Sequence, residues 1–111
     1  MPTLYWKSTC TTCREVRAAL LARAPALLEK NYSRDPLTVE EIRTLIRAAG
    51  GVPILLNTTH AICKERGWKL HPPDPETFAV EACKEPNLLR RPILLIGDRA
   101  WVHKSCLDAP L

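Results

Sequence analysis

Apolar residues recur along the first third of the chain with a spacing that changes between strand and helix periods. Thr3–Trp6 is short and β-prone, which predicts a first strand. Helical spacing over residues 11–24 predicts a helix with these apolar positions: Cys13, Val16, Leu20 and Ala24. Leu27–Ser33 predicts a weaker second strand anchored by Leu28 and Tyr32.

Several short helices are predicted in the middle of the chain. Thr38 followed by Glu41 is a capping-box pattern, because each side chain can bond the backbone N–H of the other. Gly50-Gly51 then supplies a left-handed helix end. Residues 52–56 fit a strand or a short helix. A cap at Thr58 or Thr59 predicts a short helix to Arg66, and Asp74-Pro75 predicts another to about Lys84.

The end of the chain has the pattern of a β-hairpin. Pro92–Ile96 is strongly strand-like, Gly97-Asp98 is a turn signal, and Ala100–His103 would pair back. The predicted order is therefore βαβ, then helices, then a hairpin. Such an order predicts an α/β domain with a mixed sheet.

Composition narrows the class of protein. The 111 residues suit one domain, and 46% hydrophobic residues exclude global disorder. No apolar run approaches the ~20 residues that span a bilayer, so no membrane contact is expected. The net charge of +4 is spread without a basic stripe, so direct nucleic-acid binding is not expected either. Five cysteines without an export signal indicate a reducing, cytoplasmic setting.

The pattern with the clearest chemistry is Cys10-Thr11-Thr12-Cys13, where the first strand gives way to the first helix. Free N–H groups and the macrodipole at a helix N-terminus favour a thiolate, so Cys10 is the predicted nucleophile. Cys13 lies one turn on, within reach of a disulfide formed by Cys10. Arg14 adds positive charge. A zinc site, which would need a second ligand pair, and inert core packing are the alternatives.

Arg90-Arg91-Pro92 precedes the last hydrophobic strand. One interpretation is a plain strand start with two solvated arginines, since proline at a first strand position loses no ladder bond. The other interpretation holds Arg91 next to the reactive thiol. There its fixed charge would stabilise a thiolate and bind an oxyanion through paired hydrogen bonds.

Together these motifs resemble the arsenate reductase (ArsC)/Spx family over nearly the whole chain. The segments that carry the resemblance are Thr3-Leu4-Tyr5, Cys10-Thr-Thr-Cys13-Arg14 and Leu88-Leu89-Arg90-Arg91-Pro92-Ile93. The resemblance implies a thioredoxin-like fold whose mixed four-stranded sheet combines βαβ with a ββ hairpin. It also implies a helical insertion that includes residues 52–66, one domain over residues 1–111, and a cis peptide between Arg91 and Pro92.

The resemblance implies, first, a thiol-dependent oxidoreductase acting on a small oxyanion or on a thiol or disulfide substrate. Cys10 and Cys13 would form the redox pair with Arg91 beside them, without a bound cofactor, and glutathione with glutaredoxin, or thioredoxin, would supply electrons. Candidate anion ligands are Arg14, Arg91, Thr11, Thr12 and Lys104. Of the three arginines that hold the oxyanion in arsenate reductases, only Arg91 is matched. Asn57 and the stretch of residues 102–104 stand at the other two positions, which argues against true arsenate reduction.

Second, the resemblance implies a redox-sensing regulator. In the Spx branch the CxxC pair is a thiol–disulfide switch in a protein that binds RNA polymerase through the C-terminal domain of its α subunit. A third interpretation is a relative that has kept the fold and lost the chemistry.

The remaining cysteines and histidines are expected to have structural roles. Cys63 and Cys83 are predicted to pack as small hydrophobes, whereas Cys106 is predicted to be exposed and oxidisable. His60 and His71 are predicted to lie in caps or loops. His103 is predicted to lie near Arg91.

Overall fold

The computed structural model describes all residues from 1 to 111 and contains two compact units. The first, here called the sheet unit, is made of Met1–Pro36 and Arg91–Leu111. The second, the helical unit, is Leu37–Arg90 and is inserted in the sequence between the second and third strands. The helical insertion is therefore confirmed, while one domain over residues 1–111 stays a prediction.

The sheet unit is a four-stranded mixed sheet with a helix between its first two strands. Its regular elements are β1 (Thr3–Trp6), α1 (Thr11–Arg23), β2 (Leu28–Asn31), β3 (Ile93–Ile96) and β4 (Arg99–Val102). The strand order is β2-β1-β3-β4. β1 pairs in parallel with β2, as a helical crossover allows, and antiparallel with β3, which forms the hairpin with β4. This topology confirms the predicted mixed sheet.

One apolar cluster joins the sheet to α1 and to the end of the chain. It contains these buried side chains: Leu4, Val16, Leu20, Leu27, Leu94, Cys106 and Ala109. After β4 the chain forms a 3₁₀ helix, His103–Asp108, and the Arg23 guanidinium donates to the Leu107 carbonyl within it and to the Ala109 carbonyl just after it. The C-terminal segment is thereby held against α1.

The structure corrects several details of the sheet unit. β2 is shorter than predicted, and Leu28, predicted as an anchor, is 48% exposed. Tyr32 is buried, as predicted. Cys106, predicted to be exposed, is fully buried because the terminal 3₁₀ helix turns it into the apolar cluster.

Four α-helices and a short 3₁₀ helix make up the helical unit. They are α2 (Val39–Ala49), α3 (Val52–Leu55), α4 (Ala61–Arg66), α5 (Pro75–Lys84) and the 3₁₀ helix Pro86–Leu88. α2 and α5 pack together, and the Arg43 guanidinium of α2 bonds both Glu76 of α5 and Glu40. The predicted capping box at Thr38 and Glu41 is present in both directions.

The predicted cap of α4 is wrong. His60 is the cap, since its Nδ1 accepts the Ile62 N–H at 3.1 Å. Thr59 belongs instead to a turn centred on Asn57, whose Oδ1 accepts the Thr59 N–H at 3.2 Å and the Thr59 hydroxyl at 2.7 Å. A threonine that already serves an Asx-type turn is not free to cap the following helix.

None of the helices combines the length and apolar content that crossing a membrane requires.

Candidate functional site

The Cys10–Cys13 segment forms the junction between β1 and α1. Cys10 is the N-cap of α1, with extended backbone angles, and its N–H donates to the Lys7 carbonyl at 3.1 Å. Its Sγ accepts the Cys13 backbone N–H at 3.3 Å. The sulfur therefore satisfies one of the N–H groups that a helix start leaves unbonded, at the positive end of the helix dipole.

The two thiols differ in their readiness to ionise. Burial would raise the pKa of Cys10, but hydrogen bonds from the Cys13 N–H and thiol, together with the Arg91 guanidinium, outweigh it and lower that pKa. Cys13 is fully buried, and burial raises its pKa to about 12, although the Lys7 N–H and the charge of Arg91 oppose this. At neutral pH the structure therefore offers one activated thiol and one protonated partner beside it.

Arg91 lies two residues before β3 begins and is held there through its backbone. The Arg91–Pro92 peptide is cis, which confirms the expectation from the family resemblance. His103 bonds both carbonyls of this segment, with Nδ1 donating to Arg91 O at 3.0 Å and the backbone N–H donating to Pro92 O at 2.7 Å. The predicted proximity of His103 to Arg91 is confirmed, and its contact is to the Arg91 backbone.

The Arg91 side chain has an unused donor. Its Nε is buried and has no hydrogen-bond partner, while the charge of the guanidinium helps to lower the pKa of Cys10. The fixed positive charge of Arg91 beside Cys10 favours the thiolate over the neutral thiol.

The remaining predicted anion ligands differ in their exposure and in their hydrogen bonds. The Arg14 guanidinium donates to the Ser8 carbonyl at 2.9 Å and to the Thr11 hydroxyl at 3.2 Å, so it braces the loop that precedes α1. Thr12 is half-buried, and Lys104 is exposed on the terminal 3₁₀ helix. Their roles as anion ligands stay predictions.

Asn57 lies in the helical unit and uses its amide there. Nδ2 donates to the Asn87 carbonyl at 3.0 Å, and Oδ1 accepts from the Thr59 N–H and hydroxyl. Its polar atoms therefore serve the local turn and its packing against Asn87.

Of the other three cysteines, two are fully buried and one is half-buried. Cys63 is fully buried in α4, and Cys83 is half-buried on α5, where its thiol donates to the Leu37 carbonyl at 3.4 Å. Cys106 donates to Trp101 O at 3.2 Å, and burial raises its pKa to about 12. All five thiols are free, and no group of three or more His, Cys, Asp or Glu side chains could hold a metal ion.

Sequence reasoning treated Tyr32 as a packing residue only. Its hydroxyl is buried without a hydrogen-bond partner, and the charges of Cys13, Arg91 and Cys10 all act on it. The signal that could have found it is topological. Because β1 and β2 are parallel, the residue that follows β2 lies at the same sheet edge as the loop that leaves β1.

Comparison with known structures assigns the fold. An arsenate reductase from Vibrio cholerae superimposes with a TM-score of 0.79 and 21% identity, over 96% of this chain and 92% of that one. An arsenate reductase (ArsC) related protein from Brucella melitensis gives 0.69 and 17%, over 91% and 84%. The chain therefore has the thioredoxin-like fold of the arsenate reductase class.

Comparison with curated sequences assigns the family. The global transcriptional regulator Spx 1 of Bacillus cereus is 30% identical over 103 residues, which cover 92% of this chain and 79% of that protein. The Spx regulator of Enterococcus faecalis is also 30% identical, over 92% and 78%. No family model matches the chain. On these relationships the chain belongs to the ArsC/Spx family, as its motifs predicted.

Proposed function

We propose that this chain carries out thiol–disulfide exchange with Cys10 as the nucleophile and Cys13 as the resolving thiol. The observation that supports this most directly is the difference between the two thiols. Cys10 accepts hydrogen bonds that favour its thiolate, whereas buried Cys13 stays protonated beside it. Such a pair reacts in a fixed order, since the thiolate is the attacking species.

The reaction balances without a cofactor. The Cys10 thiolate attacks a disulfide R–S–S–R′, a bond forms between Cys10 and R–S, and R′–S⁻ leaves with the electron pair. Cys13 then loses its proton to solvent and attacks the Cys10 sulfur, which releases R–S⁻ and forms the Cys10–Cys13 disulfide. A dithiol donor such as thioredoxin or glutaredoxin, or glutathione, would reduce that disulfide and is itself oxidised.

Arg91 supports the first step. The charge of its guanidinium lowers the pKa of Cys10 and would attract an anionic substrate toward that thiol. With Asn57 engaged in its own turn, a disulfide or glutathione mixed disulfide suits this site better than arsenate, for which the family resemblance implies three arginines.

Mass spectrometry after exposure to glutathione disulfide tests the assignment. The unmodified protein should form a Cys10–Cys13 disulfide, Cys13→Ser should hold glutathione on Cys10, and Cys10→Ser should do neither. Cys83→Ser, which removes a half-buried thiol outside the pair, should match the unmodified protein. Disulfide formation or turnover that survives Cys10→Ser would contradict the proposal.

A second candidate function follows from the relatives that are named global transcriptional regulators. In it, the same disulfide would control binding to a protein partner, and the first partner to test is the C-terminal domain of the α subunit of RNA polymerase. The expected result is an affinity for that purified domain that differs between reduced and oxidised protein. Equal affinity of the reduced and the oxidised protein would contradict the hypothesis that the disulfide controls binding.

A further inference from the structure

Tyr32 is fastened to the segment that carries the reactive cysteines. Its N–H donates to the carbonyl of Trp6, the last residue of β1, at 2.9 Å. The preceding residue, Asn31, accepts the Ser8 N–H at 3.2 Å and donates to the Ser8 hydroxyl at 3.1 Å. The end of β2 is therefore clamped to the loop that leads into Cys10.

The Tyr32 hydroxyl is a buried polar group that no other residue of the chain bonds. The residue is 3% exposed, and its hydroxyl has no hydrogen-bond partner. Buried hydroxyls are nearly always bonded, and phenylalanine would fill the same space without the cost of an unmet hydroxyl. An unmet buried donor close to a reactive group is therefore a candidate for a bond that forms only during the reaction.

The charged and ionisable groups that act on this hydroxyl are Cys13, Arg91 and Cys10. Burial and the two thiolate charges raise the pKa of Tyr32, while Arg91 opposes them. At neutral pH the hydroxyl therefore keeps its proton and can donate it in a hydrogen bond.

Cys13 is the group that needs such a donor. To resolve a mixed disulfide on Cys10 it must become a thiolate while it is fully buried, and a buried charge is costly unless it is hydrogen-bonded. The Lys7 N–H and the charge of Arg91 both lower the pKa of Cys13, but burial outweighs them. The Cys10 sulfur already accepts the Cys13 N–H at 3.3 Å, and Arg91 helps to lower its pKa.

We propose that the Tyr32 hydroxyl donates a hydrogen bond to the Cys13 sulfur while that sulfur carries negative charge. The bond would form as Cys13 attacks the mixed disulfide on Cys10, and again when Cys13 leaves as a thiolate during reduction. Tyr32 keeps its proton throughout. In the resolving step a lone pair of Cys13 forms the new S–S bond with Cys10, and the electron pair of the broken S–S bond leaves with the substrate thiolate. This inference rests on the proposed exchange between Cys10 and Cys13.

The reaction of the reduced protein with 5,5′-dithiobis(2-nitrobenzoate) separates the two steps. Attack by Cys10 releases one thionitrobenzoate and leaves the other on Cys10, and attack by Cys13 releases the second. Tyr32→Phe should leave the first release unchanged and slow the second ~10-fold near neutral pH, since a hydrogen bond to a charged group is lost. The pH midpoint of the second release should move upward.

A structural role for the hydroxyl would give a different result. Tyr32→Phe removes an unbonded buried group, so the midpoint of thermal unfolding should stay constant or rise while the second release slows. Tyr5→Phe, which removes the other tyrosine hydroxyl of the chain, should leave both releases unchanged.

The outcomes distinguish this inference from the proposed function. If the unmodified protein releases two equivalents and Tyr32→Phe resolves at the same rate with the same pH midpoint, the role of Tyr32 is refuted and the exchange reaction stands. If the unmodified protein releases only the first equivalent, the Cys10–Cys13 exchange fails, and the inference falls with it.

Discussion

His103 provides the sharpest test of how the backbone holds Arg91. Its Nδ1 lies 3.0 Å from the Arg91 carbonyl, and its backbone is left-handed with φ 58°. His103→Ala removes the side-chain bond and keeps the left-handed backbone, whereas His103→Gly removes the bond and relieves that backbone. The two variants therefore separate the contributions of the hydrogen bond and of the backbone conformation.

The expected magnitudes follow from these two contributions. Loss of one hydrogen bond costs ~1 kcal/mol. A residue with a Cβ pays ~1 kcal/mol for the left-handed conformation, which glycine does not. His103→Ala should therefore be destabilised by ~1 kcal/mol, a fall of ~4 °C in the thermal midpoint, while His103→Gly should remain close to the unmodified protein.

Both variants should also react more slowly at Cys10, because the guanidinium that stabilises its thiolate is held less firmly. Thermal unfolding followed by circular dichroism gives the first quantity, and alkylation of Cys10 by iodoacetamide near neutral pH gives the second. His71→Ala, at an exposed histidine, serves as the control and should change neither. Equal midpoints for the Ala and Gly variants, or an unchanged alkylation rate, would refute the reasoning.

Three further predictions test other parts of the structure. Arg91→Gln should raise the pKa of Cys10 and slow its alkylation near neutral pH. An unchanged alkylation rate would show that Arg91 does not stabilise the Cys10 thiolate. The reduced protein should lose stability as pH rises from ~8.5 toward the value of about 12 for Cys13, because the unfolded state releases that proton first. Urea unfolding should show this fall, and Cys13→Ala should make it less steep without abolishing it, because burial raises the pKa of Cys106 to about 12 as well. Thr38→Ala should lower the free energy of unfolding by ~1 kcal/mol, because α2 loses its N-cap. Thr44→Ala, which removes a hydroxyl within the same helix, should lower it by less. The reverse order would contradict the role of Thr38 as the cap.

Local signals in the sequence were sufficient where neighbouring residues alone decide the structure. The capping box at Thr38 and Glu41, the helix start at Cys10 and the hairpin near Gly97 all depend on contacts within a few residues. The cis peptide before Pro92 was different in kind, because the family resemblance implied it and local physics only permits it.

Features that depend on distant residues were missed. Cys106 was predicted to be exposed because it lies near the chain end, yet the terminal 3₁₀ helix turns it into the core of the sheet unit. Tyr32 acquires its contacts from residues more than ten positions away along the chain, through the pairing of β1 with β2. No periodicity in the sequence encodes such contacts.

The proposed exchange requires that the Cys10 thiol is activated and that the Cys13 thiol stays protonated beside it. Alkylation of the reduced protein as a function of pH, with the modified cysteine located by mass spectrometry, measures this directly. Cys10 should react with a midpoint below the ~8.5 of a free thiol, and Cys13 should stay unreactive until strongly alkaline pH. A midpoint for Cys10 at or above the free value, or modification of Cys13 before Cys10, would contradict the account.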